Sequence, residues 1–150
     1  MKYVKNIFYL TFPLILGIIS GIITNSSIDY SNLKKPPLSP PGIVFPIVWT
    51  ILYILIGLSY YLYKKKTYTN KTEIITYYIQ LFLNFTWTII FFTLKLRLTA
   101  IIWILALSIS IYTLITLFIQ KYKLSAYLLI PYLIWCLFAT YLTVGTYLLN

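Results

Sequence analysis

The side chains that ordinarily carry out chemistry are nearly missing from this 150-residue chain. Histidine is absent and the only carboxylates are Asp29 and Glu73, both expected outside the apolar stretches, so paired general acids, proton relays and metal clusters lack material. The serines have no base to activate them and no phosphate-cradling glycine loop occurs. Cys136 is the single cysteine; it allows no internal disulfide and reads as a small buried apolar residue. Hydrolase, ATPase and proton-coupled transport chemistry are therefore poorly served. What the chain does hold is aromatic surface at helical spacing. Phe45, Trp49 and Tyr53 follow at i, i+4 and i+8; Gln80, Asn84 and Trp87 share a second face; Tyr132, Trp135, Ala139 and Leu142 make a third. Such stripes suit stacking against a flat guest. Each stripe also reads as a seam between packed helices. For Gln80 and Asn84, interhelical hydrogen bonding stands level with ligand contact. For Trp87 and Trp103, packing or interface anchoring is the plainer reading.

The elements that must position these stripes follow from hydropathy. The chain is 61% hydrophobic and 9% charged, with a mean hydropathy of +0.87, more apolar surface than a core of this size can hide. Five apolar stretches, at about 6–24, 43–63, 74–94, 98–119 and 125–149, are each long enough to cross a hydrocarbon layer of roughly 30 Å. Unbroken runs without alternation predict helices rather than a barrel. The fold class expected is an all-α membrane protein, one five-transmembrane-helix bundle over residues 1–150. Pro13 and Pro131 fall inside stretches, where neighbouring helices accommodate them. The first stretch follows Lys2 and Lys5 but carries no cleavage pattern, and it is read as a retained span. Only Lys95 and Arg97 with their neighbours separate the third and fourth stretches, which forces an antiparallel hairpin.

Charge sets the expected orientation. Eight cations (Lys2, Lys5, Lys64, Lys65, Lys66, Lys71, Lys121 and Lys123) fall on one side, against Lys34, Lys35, Lys95 and Arg97 on the other. The N-terminus is therefore expected in the cytoplasm and the proline-rich first loop outside. The net charge of +10 sits at helix ends rather than along one stripe, so it reads as lipid-headgroup contact and not nucleic-acid binding. Tyr60, Tyr61, Tyr63, Tyr77, Tyr78 and Tyr122, near span ends, are expected as interface anchors. Gly17 and Gly21 form a GxxxG that admits either a homodimer or a close internal crossing.

Four blocks in order resemble the TspO/MBR family, the tryptophan-rich sensory proteins that include the translocator protein, or peripheral benzodiazepine receptor, of mitochondria. They are Leu33-x-Lys35-Pro36-x-x-x-Pro40-Pro41; Phe45-x-x-x-Trp49-Thr50-x-Leu52-Tyr53-x-x-x-Gly57; Gln80-x-x-x-Asn84-x-x-Trp87 with Phe91-Phe92; and Pro131-Tyr132-x-x-Trp135-x-x-Phe138-Ala139-Thr140-Tyr141-Leu142. The resemblance implies a first loop, residues 25–42, folded as a lid over a pocket at one membrane face, with Lys34, Lys35, Pro36, Pro40 and Pro41 as its marked residues. It implies a ligand site at Phe45, Val48, Trp49, Tyr53, Asn84, Trp87, Trp135, Ala139 and Leu142. The ligand implied is a porphyrin, protoporphyrin IX or haem, with no required cofactor and no metal site; some relatives bind cholesterol or synthetic benzodiazepine-type ligands. In some bacterial relatives the equivalents of Trp49 and Trp135 support light- and oxygen-dependent porphyrin breakdown, so these two are the catalytic candidates. The chain departs from the family where Asp29 and Leu38 replace lid aromatics, and where Thr99 and Ala100 replace a tryptophan. Where animal members carry a basic tail with a proposed cholesterol motif, this sequence reaches Asn150 without a cation, and sterol binding is not the expectation.

The function expected is a membrane tetrapyrrole-binding sensory or stress-response protein with photooxidative porphyrin degradation as a secondary activity. Two other readings stand beside it: translocation of porphyrin or sterol, and a scaffold that modulates another membrane or regulatory protein. A bacterial or archaeal plasma membrane is the expected location, or a mitochondrial outer membrane in a eukaryote.

Overall fold

The computed structural model describes residues 2–25 and 32–150, with the side chains of residues 2–4 excepted. Residues 26–31 of the expected lid, Asp29 among them, lie outside the described residues. The chain forms α1 (Lys2–Thr24), α2 (Val44–Lys66), α3 (Lys71–Thr88), α4 (Arg97–Ile119), α5 (Lys123–Leu128) and α6 (Ile130–Leu149). There is no strand among the described residues. Five spans, Lys5–Thr24, Val44–Lys66, Lys71–Thr93, Arg97–Ile119 and Lys123–Leu149, are long and apolar enough to cross a bilayer. The protein is an integral, multi-pass membrane protein.

The helices close into a ring. α1 packs on α2, α2 on α5 and α6, these on α4, α4 on α3, and α3 back on α1. α4 supplies the most deeply buried face, since Ala100, Ile104, Leu107, Ile111, Leu114 and Phe118 recur at three- and four-residue spacing and are fully buried. Outward-facing Ile22, Ile47, Phe82, Ile109 and Leu148 are exposed. In a bilayer they face lipid, where such exposure carries no penalty.

Two local irregularities shape the lid-side half. α3 runs directly into a π-helical turn, Ile89–Thr93, with Leu94 N–H bonding the Ile89 carbonyl at 3.0 Å. The extra residue swings the chain towards the hairpin, where Lys95 adopts a left-handed φ of 55°. Arg97 seals the corner: its Nη1 donates to the Phe91 carbonyl at 3.1 Å and its guanidinium lies 4.6 Å from the centre of the Phe91 ring. In the fifth span, expected as one stretch, α5 stops at Leu128 and α6 restarts at Ile130. Pro131 lacks the N–H that would continue the first helix and is well suited to open the second.

At the lysine-rich end the structure corrects the tyrosine reading. Tyr60, Tyr63 and Tyr77 are buried, not interfacial. Tyr60 stacks on Tyr77 with ring centres 3.7 Å apart, and Tyr63 on Phe118 at 3.8 Å. Tyr61 and Tyr122 are half-buried, and Tyr78 is exposed. Tyr60 and Tyr77 are buried in their mutual stack, and Tyr63 is drawn inward by Glu73, which lies in the first turn of α3 and is only 2% exposed. Its carboxylate pairs with Lys121 at 2.7 Å. It also accepts from the Tyr63 hydroxyl at 2.8 Å and from Asn70 N–H at 2.9 Å, closing a capping box in which Asn70 Oδ1 accepts from Glu73 N–H. One carboxylate thus ties the end of α2, the start of α3 and the segment after α4.

Removing it leaves a cation and two donors unmatched. Glu73→Ala is expected to destabilise the bundle by about 2–3 kcal/mol. Lys121→Ala should cost about 1 kcal/mol or less, because the lysine side chain is 36% exposed. Thermal or detergent unfolding of the two variants checks the order, and equal losses would contradict it.

Candidate functional site

A cavity of about 400 Å³ lies between α1, α2 and the lid-side end of α3. α2 supplies Phe45, Trp49 and Tyr53 in one ladder, the π-turn region supplies Trp87 and Phe92, and α1 supplies Leu14, Gly17, Gly21 and Thr24. Trp49 is the hub. Its ring centre lies 5.6 Å from Tyr53 in a stacked pose, 6.4 Å from Trp87, 6.3 Å from Tyr132 and 6.5 Å from Trp135, the last edge-to-face at 88°. Contacts of this kind are worth about 0.5–1.5 kcal/mol each beyond area burial and hold the indole plane in place. Gly17 makes room for the ladder, since any side chain there would collide with the Tyr53 ring. The hydroxyls of the α1 wall turn inward on their own helix: Ser20 donates to the Gly17 carbonyl at 3.0 Å and Thr24 to the Ser20 carbonyl at 2.8 Å. The wall therefore behaves as an apolar surface.

Behind the ladder runs a buried polar thread through three helices. The Tyr53 hydroxyl donates to Asn84 Oδ1 at 2.8 Å, Asn84 Nδ2 donates to the Tyr132 hydroxyl at 2.7 Å, and that hydroxyl donates to Gln80 Oε1 at 2.8 Å. All four residues are buried, and each fixes the rotamer of the next. The thread therefore aims Tyr53, and through stacking Trp49, at the cavity.

The loop ahead of α2 is pinned to α6. Pro36 is buried and occupies the space that a side chain at Gly145 would need. The Tyr141 hydroxyl donates to the Pro37 carbonyl at 2.6 Å, and Asn150 Nδ2 to the Lys34 carbonyl at 2.9 Å. Leu38 turns the loop with a left-handed φ of 68°, and the Ser39 hydroxyl closes the turn on the Pro36 carbonyl at 2.7 Å. Beneath it lies a small void of about 30 Å³, bounded by Lys35, Ala139 and Leu142 and shared with Phe45 and Trp87.

The residues marked from sequence thus divide. Phe45, Trp49, Tyr53 and Trp87 line the large cavity. Ala139 and Leu142 line the small void. Trp135 borders neither; it stands behind Trp49 and against Phe45, at 5.9 Å between ring centres. Asn84 belongs to the polar thread, and Val48 packs against the core. In the loop, Lys35 and Pro36 face inward, Lys34 is exposed, and Pro40 and Pro41 lead into α2, whose Val44 N–H bonds the Pro41 carbonyl at 3.0 Å. The α1 wall was not among the marked residues. Its signal was present as Gly17, Ser20, Gly21 and Thr24, small residues at i, i+3, i+4 and i+7 on one helical face.

Comparison with known proteins matches residues 9–148 to the TspO/MBR family. The chain is 35% identical to a tryptophan-rich protein TspO of Archaeoglobus fulgidus, over 100% of this chain and 99% of that one. It is 33% identical to a tryptophan-rich sensory protein of Cereibacter sphaeroides, over 81% of this chain and 76% of that one. It is 35% identical to the translocator protein of Homo sapiens, over 74% and 68% respectively.

If the polar thread sets the pose of Tyr53, Tyr53→Phe and Asn84→Leu should not be additive. A double-mutant cycle on unfolding is expected to give a coupling of about 1 kcal/mol, within the range for membrane hydrogen bonds. Additive losses would remove the thread from the account of the site.

Proposed function

The chain belongs to the TspO/MBR family, and on that footing we propose that it binds a flat, apolar tetrapyrrole in the cavity between α1 and the aromatic ladder, as a membrane sensory or stress-response protein. The observation that carries the reading is the wall itself: Trp49, Tyr53, Phe45 and Trp87 around about 400 Å³, a size ordinary for small-molecule sites. Facing them is a helix that carries no side chain at Gly21, where the space is open, which suits a disc. Lys34 and Lys35 stand at the lid end. Cationic ends of this kind suit the acidic substituents of such a disc.

The chemistry of the wall favours a metal-free macrocycle over haem. Haem iron takes His, Cys, Met or Tyr as axial ligand. The chain has no histidine and its one methionine is Met1. Cys136 is buried away from the cavity, and the Tyr53 hydroxyl is bound to Asn84. Stacking and van der Waals contact are what remain. The lysine-rich half of the bundle is filled by the Tyr60–Tyr77 and Tyr63–Phe118 stacks, which favours a bound guest over one passing through.

We propose a secondary activity on the same wall: the photoexcited porphyrin takes an electron from Trp49, which Trp135 behind it can refill so that an indole radical cation remains on the protein, and the reduced porphyrin passes that electron to dioxygen, whose superoxide oxidises the macrocycle. The orientation we infer puts the N-terminus in the cytoplasm of a prokaryotic plasma membrane, on the charge distribution between the loops.

Titration with protoporphyrin IX is expected to quench tryptophan fluorescence saturably, with haem binding no more tightly. Trp49→Ala should weaken binding by about tenfold, or roughly 1.4 kcal/mol. Absence of saturation in the parent protein would overturn the binding reading. Under light and oxygen, Trp49→Phe and Trp135→Phe should slow the loss of porphyrin absorbance; unchanged decay in both would remove the photochemical part and leave binding standing.

A further inference from the structure

α1 and α2 touch tightly and then separate. At Gly57 the helices are so close that a side chain would strike the Leu10 carbonyl, and at Gly17 it would strike Tyr53. One turn further along α1, an added Cβ at Gly21 meets nothing within 4 Å. The two helices therefore form a V that opens towards the lid end. The residues along its arms, Ile18 and Gly21 on α1 and Pro46 and Thr50 on α2, line the cavity and are exposed. Wall residues on both arms that no neighbouring helix covers mark a break in that wall.

We propose that this break is a lateral mouth through which the cavity opens into the acyl-chain layer of the bilayer, that a phospholipid acyl chain occupies it at rest, and that Gly21 sets its clearance. At 1.5 Å per residue, Gly21 lies about 4–5 Å inside the lid-side end of α1, and Pro46 and Thr50 about 3–9 Å inside the start of α2. That depth corresponds to the upper methylenes of a lipid tail. Water is a poor occupant because the wall offers it few partners. The Ser20, Thr24, Thr50 and Thr88 hydroxyls bond their own helices, Thr50 to the Pro46 carbonyl at 2.6 Å, which leaves Asn25 at the lid edge and the indole N–H of Trp87 as polar groups of that wall. An apolar opening at hydrocarbon depth takes up hydrocarbon. The same mouth would admit a flat apolar guest already dissolved in the membrane; this second half rests on the tetrapyrrole reading.

The test uses acyl chains brominated near the headgroup as the probe. A protein with Trp49 as its only tryptophan (Trp87→Phe, Trp103→Phe and Trp135→Phe), reconstituted in brominated phospholipid, is expected to lose most of its Trp49 emission relative to ordinary lipid. Gly21→Leu on that background should restore at least half of it, whereas Gly21→Ala should restore little. Should the triple variant not fold, the Trp49 contribution is taken as the difference between the four-tryptophan protein and Trp49→Phe, with and without Gly21→Leu. Quenching that Gly21→Leu leaves unchanged, or Trp49 reached by aqueous iodide and not by bromine, would overturn the mouth. In a second arm, protoporphyrin IX delivered from vesicles should associate at least about tenfold more slowly with Gly21→Leu. Normal bromine behaviour combined with no porphyrin uptake by the parent would fault the tetrapyrrole reading and leave the lipid-filled mouth intact.

Discussion

The close approach of α1 to α2 is the contact on which the rest of this structure depends. It is made at two glycines, each of which accepts a part of the opposite helix: Gly57 takes the Leu10 backbone and Gly17 takes the Tyr53 ring. Because lipid tails are as apolar as leucine, helices in a bilayer gain little from hiding apolar surface and associate through close packing and hydrogen bonds. Small residues permit that closeness. Once the helices are pinned at these two points, their divergence beyond Gly17 creates the cavity without any side chain having to be held away from it. The empty space thus follows from where the contacts are.

The opposite wall is kept rigid by different means. Trp49 is braced by four aromatic neighbours, and Tyr53 is tied through Asn84 and Tyr132 to Gln80. A guest that stacks on this wall finds its partner already ordered, which lowers the entropy cost of binding. At the far end, Glu73 gathers Tyr63, Asn70 and Lys121 and anchors three segments. The bundle therefore has a solid, tyrosine-packed half and a half that holds the cavity. The proposed site belongs to the second, and the first holds the helices in place.

Much of this was legible in the letters. Runs of apolar residues with lysines at their ends dictate the five spans, and the ladder Phe45, Trp49 and Tyr53 needs only helical periodicity to share a face. The inward set of Gln80, Asn84 and Trp87 was readable too, because amides avoid lipid. What periodicity could not decide was which of two inward faces borders space and which borders protein. Trp135 and Asn84 point inward as expected but meet other side chains. The small-residue face of α1 was visible as a GxxxG, yet a missing side chain signals close packing and a void equally well; Gly17 turned out to serve the first and Gly21 the second. The buried tyrosines were misjudged because interface enrichment is a rule about span ends, and Glu73, hidden in the first turn of α3, draws that end of the bundle inward. The π-turn at Ile89–Thr93 and the break at Leu129 left no distinct mark beyond Pro131.

The claim at the centre of this account is that a flat guest rests between the bare face of α1 and the indole of Trp49. A crystal structure grown from a lipid phase containing protoporphyrin IX addresses it most directly. The account predicts the macrocycle bounded by Gly21 on one side and by Trp49 on the other, its acidic edge turned to the lid end. A macrocycle lying on the outer, lipid-facing surface, with the gap between α1 and α2 closed by side chains, would contradict it.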